Sequence, residues 1–409
     1  MIKRIVSIVL ALLVATVALV AWLNLRGEDG LDSPSPAPTA DTVARGAYLA
    51  RAGNCMGCHT TQGGAEYAGG RGIDTPFGTV FAPNLTPDEA TGLGRWTEPE
   101  FWRAMHNGRA KDGRLLYPAF PYTNFTQVSR ADSAAIYAFL RSLPPVSQAN
   151  RPHELRFPYD SQLSLAVWRA LYFRPGSFEP DPRQAADWNR GAYLVRGLGH
   201  CSACHAERDA LGGSVDELRL AGGLIPVQNW YAPGVGGGDP ARFAALMKDG
   251  VSKHGSVMGP MAEVVYLSSS HLEGSDVQAM ARYVASLEPA EPVKRKSKGI
   301  DASVLDLGQR IYDKHCADCH GAHGEGRDGI YPPLAGNPSV QLSAAQNTVQ
   351  AILHGGFAPA TPGNPRPAGM PPFTHALDEA EIAAVASFVR QAWGNSAPPV
   401  SALEVMRVR

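Results

Sequence analysis

The apolar positions of the chain divide into one unbroken run and a series of helix-spaced stripes. Residues 5–23 carry no charge and are mostly apolar, with Lys3 and Arg4 before them and Arg26 after. A run of nineteen such residues is long enough to cross a bilayer, and the basic pair ahead of it favours the cytoplasmic side. The body of the chain is therefore expected to be exported. Trp22 stands where an interfacial anchor would, and no clean small-x-small cleavage site follows the run. A retained anchor and a cleaved signal peptide both remain open. The following stretch "DSPSPAPTADT" reads as a tether, and folded structure is expected from about Val43.

Three later segments share one stripe: "SRADSAAIYAFLRSLPPV", "GSDVQAMARYVASLEP" and "DEAEIAAVASFVRQAWGN". Ile136, Leu140 and Leu143, then Met280, Val284 and Leu287, then Ile382, Val385 and Val389 recur at helical spacing and predict three amphipathic helices. In "WTEPEFWRAMHNG", Thr97 and Glu100 form a capping-box pattern that predicts a helix starting at about Glu98.

Each of those three closing helices lies downstream of one short motif: Cys55, Cys58, His59; Cys201, Cys204, His205; Cys316, Cys319, His320. The motif uses all six cysteines of the chain. Its context repeats as well, "GAYLARAGNCMGCH" returning as "GAYLVRGLGHCSACH" and more loosely as "GQRIYDKHCADCH", as duplication of one module would give. The pattern C-x-x-C-H is that of c-type haem attachment: two thiols become thioethers on one edge of a porphyrin, and the next side chain supplies the proximal imidazole. Structural zinc wants four ligands per metal, and three isolated pairs do not group into fours. A thioredoxin-like dithiol wants a βαβ setting, and disulfides have no use for the histidine.

Composition narrows the picture further. The 409 residues predict two to four domains, with three the first expectation. With 37 basic and 38 acidic residues there is no positive excess to neutralise a phosphate backbone, which argues against nucleic acid as a partner. The 43 glycines and 33 prolines imply short elements joined by many turns.

The segments "APNLTPDEATGLGRW" (82–96), "GRLLYPAFPYTNFT" (113–126), "LRFPYDSQLSLAVWRALYF" (155–173), "WNRGAYLVRGLGHCSACH" (188–205) and "GPMAEVV" (259–265) carry a family likeness. With them, the chain resembles the three-haem cytochrome c subunits of bacterial membrane-bound dehydrogenases. The resemblance implies an all-α chain of three tandem cytochrome c domains with loop-rich haem pockets, at 42–146, 186–290 and 303–395. Around them it leaves an anchor or signal helix at 1–27, a tether at 28–41, linkers at 147–185 and 291–302, and a tail at 396–409. The first linker holds an aromatic-rich helix, "SLAVWRALYF", read either as packing between domains or as a membrane or partner contact.

Each iron needs a sixth ligand, and methionine there raises the reduction potential. In "RPAGMPPF", prolines stiffen the loop that carries Met370, the expected ligand in the third domain. In "SVMGPMAEVV", spacing leaves Met258 and Met261 open; the resemblance implies Met261, with Met258 as packing. Relatives of the alcohol- and gluconate-oxidising type carry methionine within the segment that here reads "YPAFPY", so Phe120 stands in the place of a sulfur ligand. Met105, His106 or an open iron are the alternatives; Met105 aligns with Leu353 and His106 with His354 of the third repeat, which favours Met105. The remaining histidines, His153, His200, His254, His271, His315, His323 and His375, are read as surface residues or turn caps.

The expected function is electron transfer through three covalently bound haems c, with no bond made or broken by the protein itself. The resemblance implies a large catalytic partner of molybdenum-cofactor, pyrroloquinoline-quinone or flavin type, with or without a small subunit, and ubiquinone or another respiratory acceptor. It places the chain on the periplasmic side of the bacterial inner membrane. "YPAFPY" looks closest to cytochromes that accompany molybdenum hydroxylases acting on aldehydes or N-heterocycles. The alternatives are a freestanding anchored electron carrier and a peroxidase-like enzyme at an open first haem, the latter disfavoured by the apolar Phe120 and Phe125 nearby.

Overall fold

The computed structural model describes residues 1–31, 37–289 and 300–409. Part of the tether (32–36) and most of the second linker (291–299) lie outside the described residues. The chain folds into two compact units, one of Met1–Gln184 with Tyr193–Ala203 and Asp209–Ser214, the other of Ala185–Ala192 with Cys204–Arg208 and Val215–Arg409.

The first unit opens with α1 (Ile2–Leu25), whose apolar side chains are exposed along almost its whole length. Its last turn is held by polar contacts. Asn24 is buried; its Nδ2 donates to Ala166 O at 2.9 Å and its Oδ1 accepts from Arg169 Nε at 2.9 Å. Just beyond, Asn107 Nδ2 donates to Gly27 O (2.9 Å), Arg109 pairs with Glu28 (2.6 Å), and Trp102 Nε1 donates to Asp29 (2.9 Å).

Helix α2 (Ala40–Ala52), capped by Thr39, leads into the short α3 (Cys55–His59). The capping box expected at Thr97 forms: Thr97 N donates to Glu100 Oε2 at 2.7 Å, Glu100 N donates back to Thr97 Oγ1 at 3.4 Å, and α4 spans Glu98–Asn107. After α5 (Tyr122–Phe125), α6 (Arg130–Ser142) crosses α2. The crossing is close because Gly46 has no side chain: a Cβ there would stand 1.8 Å from Ala135 O. Arg45, next to that glycine, grips Asp132 in the first turn of α6 at 2.5 Å. Ile136 and Leu140 are buried, and Pro144 stops the helix before Leu143 can join it. A three-stranded antiparallel sheet, Gly72–Thr75, Gly78–Phe81 and Glu154–Leu155, lies in this unit, with Ile73 opposite Val80 and Thr79 opposite Glu154.

The linker helix of "SLAVWRALYF" forms as α7 (Gln162–Tyr172) and has two faces. Leu165, Arg169 and Phe173 are buried in the first unit, whereas Leu163, Val167 and Leu171 are exposed at i, i+4 and i+8, Leu163 by 74%.

Helix α8 (Ala186–Arg196) precedes α9 (Ser202–His205). In the second unit follow α10 (Pro240–Asp249), α11 (Pro260–Leu267), a 3-10 turn at Ser269–His271 and α12 (Gly274–Ala285). Gly191 of α8 repeats the first crossing, a Cβ there falling 2.0 Å from Ala279 O of α12, and Arg190 beside it pairs with Asp276 at 2.7 Å. The C-terminal part holds α13 (Ala302–His315), α14 (Ala317–His320), α15 (Gln346–His354), α16 (Glu379–Gln391) and α17 (Ala402–Val408). There Gly308 of α13 meets α16, a Cβ standing 2.3 Å from Ala384 O.

Two expectations are amended. Helices carry the fold, but the chain is not purely helical: besides the three-stranded sheet, short two-stranded antiparallel pairs occur, among them Gly222–Ile225 with Trp230–Pro233, Val251–Ser252 with Gly255–Ser256, and Gly356–Phe357 with Gly369–Met370. They form where glycine- and proline-rich loops fold back on themselves. The expected tail at 396–409 instead packs into the core, with Val400 and Val405 buried and a Ser401–Glu404 capping box on α17.

Candidate functional site

One helical turn brings cysteine i, cysteine i+3 and histidine i+4 to a common side, and Cys55–His59 forms such a turn. Cys58, Cys204–His205 and Cys319–His320 likewise lie on short helices. None of the six cysteines is in a disulfide.

The three histidines share one further feature. His59 Nδ1 lies 2.8 Å from Pro83 O, His205 Nδ1 2.7 Å from Pro233 O, and His320 Nδ1 3.0 Å from Pro332 O. A carbonyl only accepts, so each Nδ1 carries the proton and each Nε2 keeps a lone pair for a metal. Burial pushes all three imidazoles below their ordinary pKa, outweighing the opposite pull of the proline carbonyls, and keeps them neutral. A neutral imidazole with Nδ1 held by a backbone carbonyl is the arrangement of a metal-bound histidine. Burial pushes Cys55 up to about 12 and Cys316 up to about 11, and raises Cys204, which disfavours the free thiolate of a reactive dithiol at these three positions. Among the described residues no group of three or more His, Cys, Asp or Glu side chains is placed to hold an ion between them.

The third motif opens on a cavity of about 570 Å³, within the range of small-cofactor sites. Cys316, Cys319 and His320 line it together with Met370, Pro371 and Phe373. Met370 is placed by pairing with Gly356 across the short hairpin that follows α15. Gly355, at φ +60°, makes this possible: a Cβ there would stand 2.1 Å from Met370 O. Two cysteine sulfurs, an imidazole and a thioether thus line one cavity, a set that fits a haem c with two covalent links and two axial donors. His315, read as a surface residue, also lines it.

At the second motif, Pro233 ends the hairpin whose other strand is Gly222–Ile225. Met261 sits in the first turn of α11, half-buried, just after Gly259 at φ +56°. The Trp230 ring packs where a Cβ of Gly259 would be. Met258 lies elsewhere, in the wall of the cavity at the third motif.

At the first motif, Met105 and His106 are both buried on α4. The His106 ring stacks on Trp102 (centroids 4.3 Å apart, 19° between planes), with Nδ1 3.5 Å from Thr126 Oγ1. Burial pushes its pKa down. Successive helix residues diverge by about 100°, so Met105 faces another direction. Phe120 packs on Phe125 at 5.3 Å.

The proline carbonyls are the functional groups that sequence reasoning misses. Their signal is faint but present: each follows an aromatic residue closely, in "FAPN", "YAPG" and "YPPL".

Comparison with known proteins agrees with this geometry. The cytochrome c family profile matches residues 43–144 and 305–393. The chain is 37% identical over 405 residues to the cytochrome c subunit of alcohol dehydrogenase (quinone) from Gluconacetobacter polyoxogenes, covering 91% of this chain and 85% of that one. The chain belongs to the cytochrome c subunits of dehydrogenases. It is also 33% identical over 431 residues to the gluconate 2-dehydrogenase cytochrome c subunit of Pantoea cypripedii, covering 98% and 94%. With a nicotinate dehydrogenase subunit of Pseudomonas putida it shares 39% identity over 374 residues, covering 88% of this chain but spanning only 31% of that protein. As a dehydrogenase cytochrome c subunit, the chain binds haem c covalently and transfers electrons for a catalytic dehydrogenase, without being the catalyst itself.

Proposed function

We propose that this cytochrome c subunit carries three haems c and conducts electrons from a periplasmic dehydrogenase subunit to ubiquinone or another respiratory acceptor in the membrane. The observation that carries the number three is the triple recurrence of a partly buried histidine whose Nδ1 is engaged by a proline carbonyl, each beside a pair of cysteines outside any disulfide. Cys55 and Cys58, Cys201 and Cys204, and Cys316 and Cys319 would form the thioethers, with His59, His205 and His320 as proximal ligands. Met370 and Met261 would close the third and second irons and Met105 the first. Bound haem supplies a one-electron couple, and the protein sets its potential through ligand identity and burial.

The seat of α1 supports a retained membrane anchor. The helix has 24 residues and a mean hydropathy of 2.8 in its most apolar window. Cleavage behind it would strip Arg169, 2% exposed, of the Asn24 carbonyl that accepts its Nε–H. The exposed Leu163, Val167 and Leu171 of α7 lie on a helix that α1 packs against, as expected of a surface at the membrane interface.

The partner we favour oxidises an N-heterocycle or an aldehyde. Nicotinate is an N-heterocycle, and the likeness to the nicotinate dehydrogenase subunit agrees with "YPAFPY" in that direction. The test is purification of the native complex from membranes. A large subunit should copurify, its N-heterocyclic substrate should reduce the haems, and a ubiquinone analogue should reoxidise them. A chain that purifies alone and is reduced by no associated dehydrogenase would make it a freestanding carrier.

A further inference from the structure

The resemblance leaves Met258 as a packing residue, and it lines the cavity of the third motif together with Cys316, Cys319, His320 and Met370. Its methyl carbon lies 3.5 Å from where a Cβ of Gly356 would stand, and Gly356 is the residue paired with Met370. The segment leading to Met258 is fixed against the third domain. Thr361 Oγ1 donates to Asp249 O at 3.0 Å, and Gly250 and Gly255 are so close to Pro359 and Asn337 that a Cβ would fall at 2.3 and 2.9 Å from them. The hairpin Val251–Ser252/Gly255–Ser256 then presents Val251, Ser252 and Met258 to the cavity. On the other side, Gly259 and Pro260 lead directly into α11 and Met261.

Resting on the three-haem reading, we propose that Met258 is a shielding residue of the third haem, lent by the segment that supplies the second haem's axial methionine. An unbranched thioether fills an irregular apolar gap well and keeps water from a porphyrin edge. Excluding water disfavours the more positively charged oxidised haem, so the shield holds the third potential up. Because only Gly259 and Pro260 separate Met258 from Met261, the same stretch would join the third haem's surroundings to the residue proposed to close the second iron.

The test is redox titration of the full-length protein with Met258→Ala and Met258→Leu, after intact mass has established the haem number in each. The third haem is assigned as the component moved by Met370→His. Met258→Ala should lower that one midpoint and leave the other two in place, while Met258→Leu, which refills the gap, should restore it. The near-infrared sulfur-to-iron bands should survive in both variants. An unshifted third midpoint in Met258→Ala overturns the proposal, as does loss of a sulfur-to-iron band, which would make Met258 a ligand. Fewer than three haems in the parent protein would defeat the underlying reading instead, and the mass measurement reports that separately.

Discussion

Asn24, in the last turn of the apolar α1, accepts a hydrogen bond from the buried Arg169 of α7 at 2.9 Å. The bond makes the end of this apolar helix a part of the first unit's interior. Replacing Asn24 with leucine keeps the branched shape but removes the acceptor, leaving a buried guanidinium short of a partner. The expected cost is about 1.5–3 kcal/mol for a hydrogen bond to a charged group. Thermal unfolding of the detergent-solubilised protein should show it as a lower midpoint, and the mature N-terminus should include residues 1–27. An N-terminus beyond Asn24, or an unchanged midpoint, would refute this account of the anchor.

The three glycine crossings reverse the usual sign of a helical substitution. Glycine to alanine inside a helix ordinarily stabilises by roughly 0.5–1 kcal/mol. At Gly46, Gly191 and Gly308 the added Cβ would fall 1.8, 2.0 and 2.3 Å from a backbone oxygen, so the helix pairs must move apart. Gly46→Ala, Gly191→Ala and Gly308→Ala should each destabilise by about 1–3 kcal/mol or more. Gly274→Ala, where no atom lies within 4 Å, should be neutral or mildly stabilising by the same thermal assay.

These crossings show what is readable from the residues alone. The repeated "GAYL" marks two of the three, and the apolar stripes correctly place Ile136, Met280 and Ile382 in the core. Motif spacing exposes the cysteines and histidines because attachment chemistry dictates it locally. The proline carbonyls are nearly hidden, since a backbone oxygen 24, 28 or 12 positions after its histidine leaves only the nearby aromatic residue as a signal. Met258 is hidden for a related reason: its place is set by a hairpin seated on residues some hundred positions later, a tertiary fact without periodicity.

His153 gives the first unit a pH dependence. Its Nδ1 accepts from Phe81 N at 3.1 Å, which requires the neutral ring. Burial, with help from Arg114, pushes its pKa below the ordinary value of about 6.5. The folded state therefore holds fewer protons than the unfolded state between those two pKa values. The stabilisation is complete above the unfolded value and is lost as pH falls through the folded one. Melting temperature should drop between pH 7 and 5 more steeply in the parent protein than in His153→Asn. Equal slopes would show that this ring does not couple protonation to folding.

Met105 and His106 make opposite predictions for the first haem. His106 is engaged by Trp102 and Thr126, so His106→Phe should leave the haem spectrum and potential in place at some cost in stability. Met105→Leu should abolish one sulfur-to-iron band and lower one midpoint potential, because a thioether ligand favours the reduced iron. If the reverse pattern appears, the sixth ligand is the histidine.

The most direct test of the central claim is the intact mass of the denatured protein, produced with export and haem-attachment machinery and stripped of non-covalent ligands. The account predicts the polypeptide plus three haems, falling to two when both cysteines of any one motif are changed to alanine. A parent mass carrying two haems or fewer would contradict it.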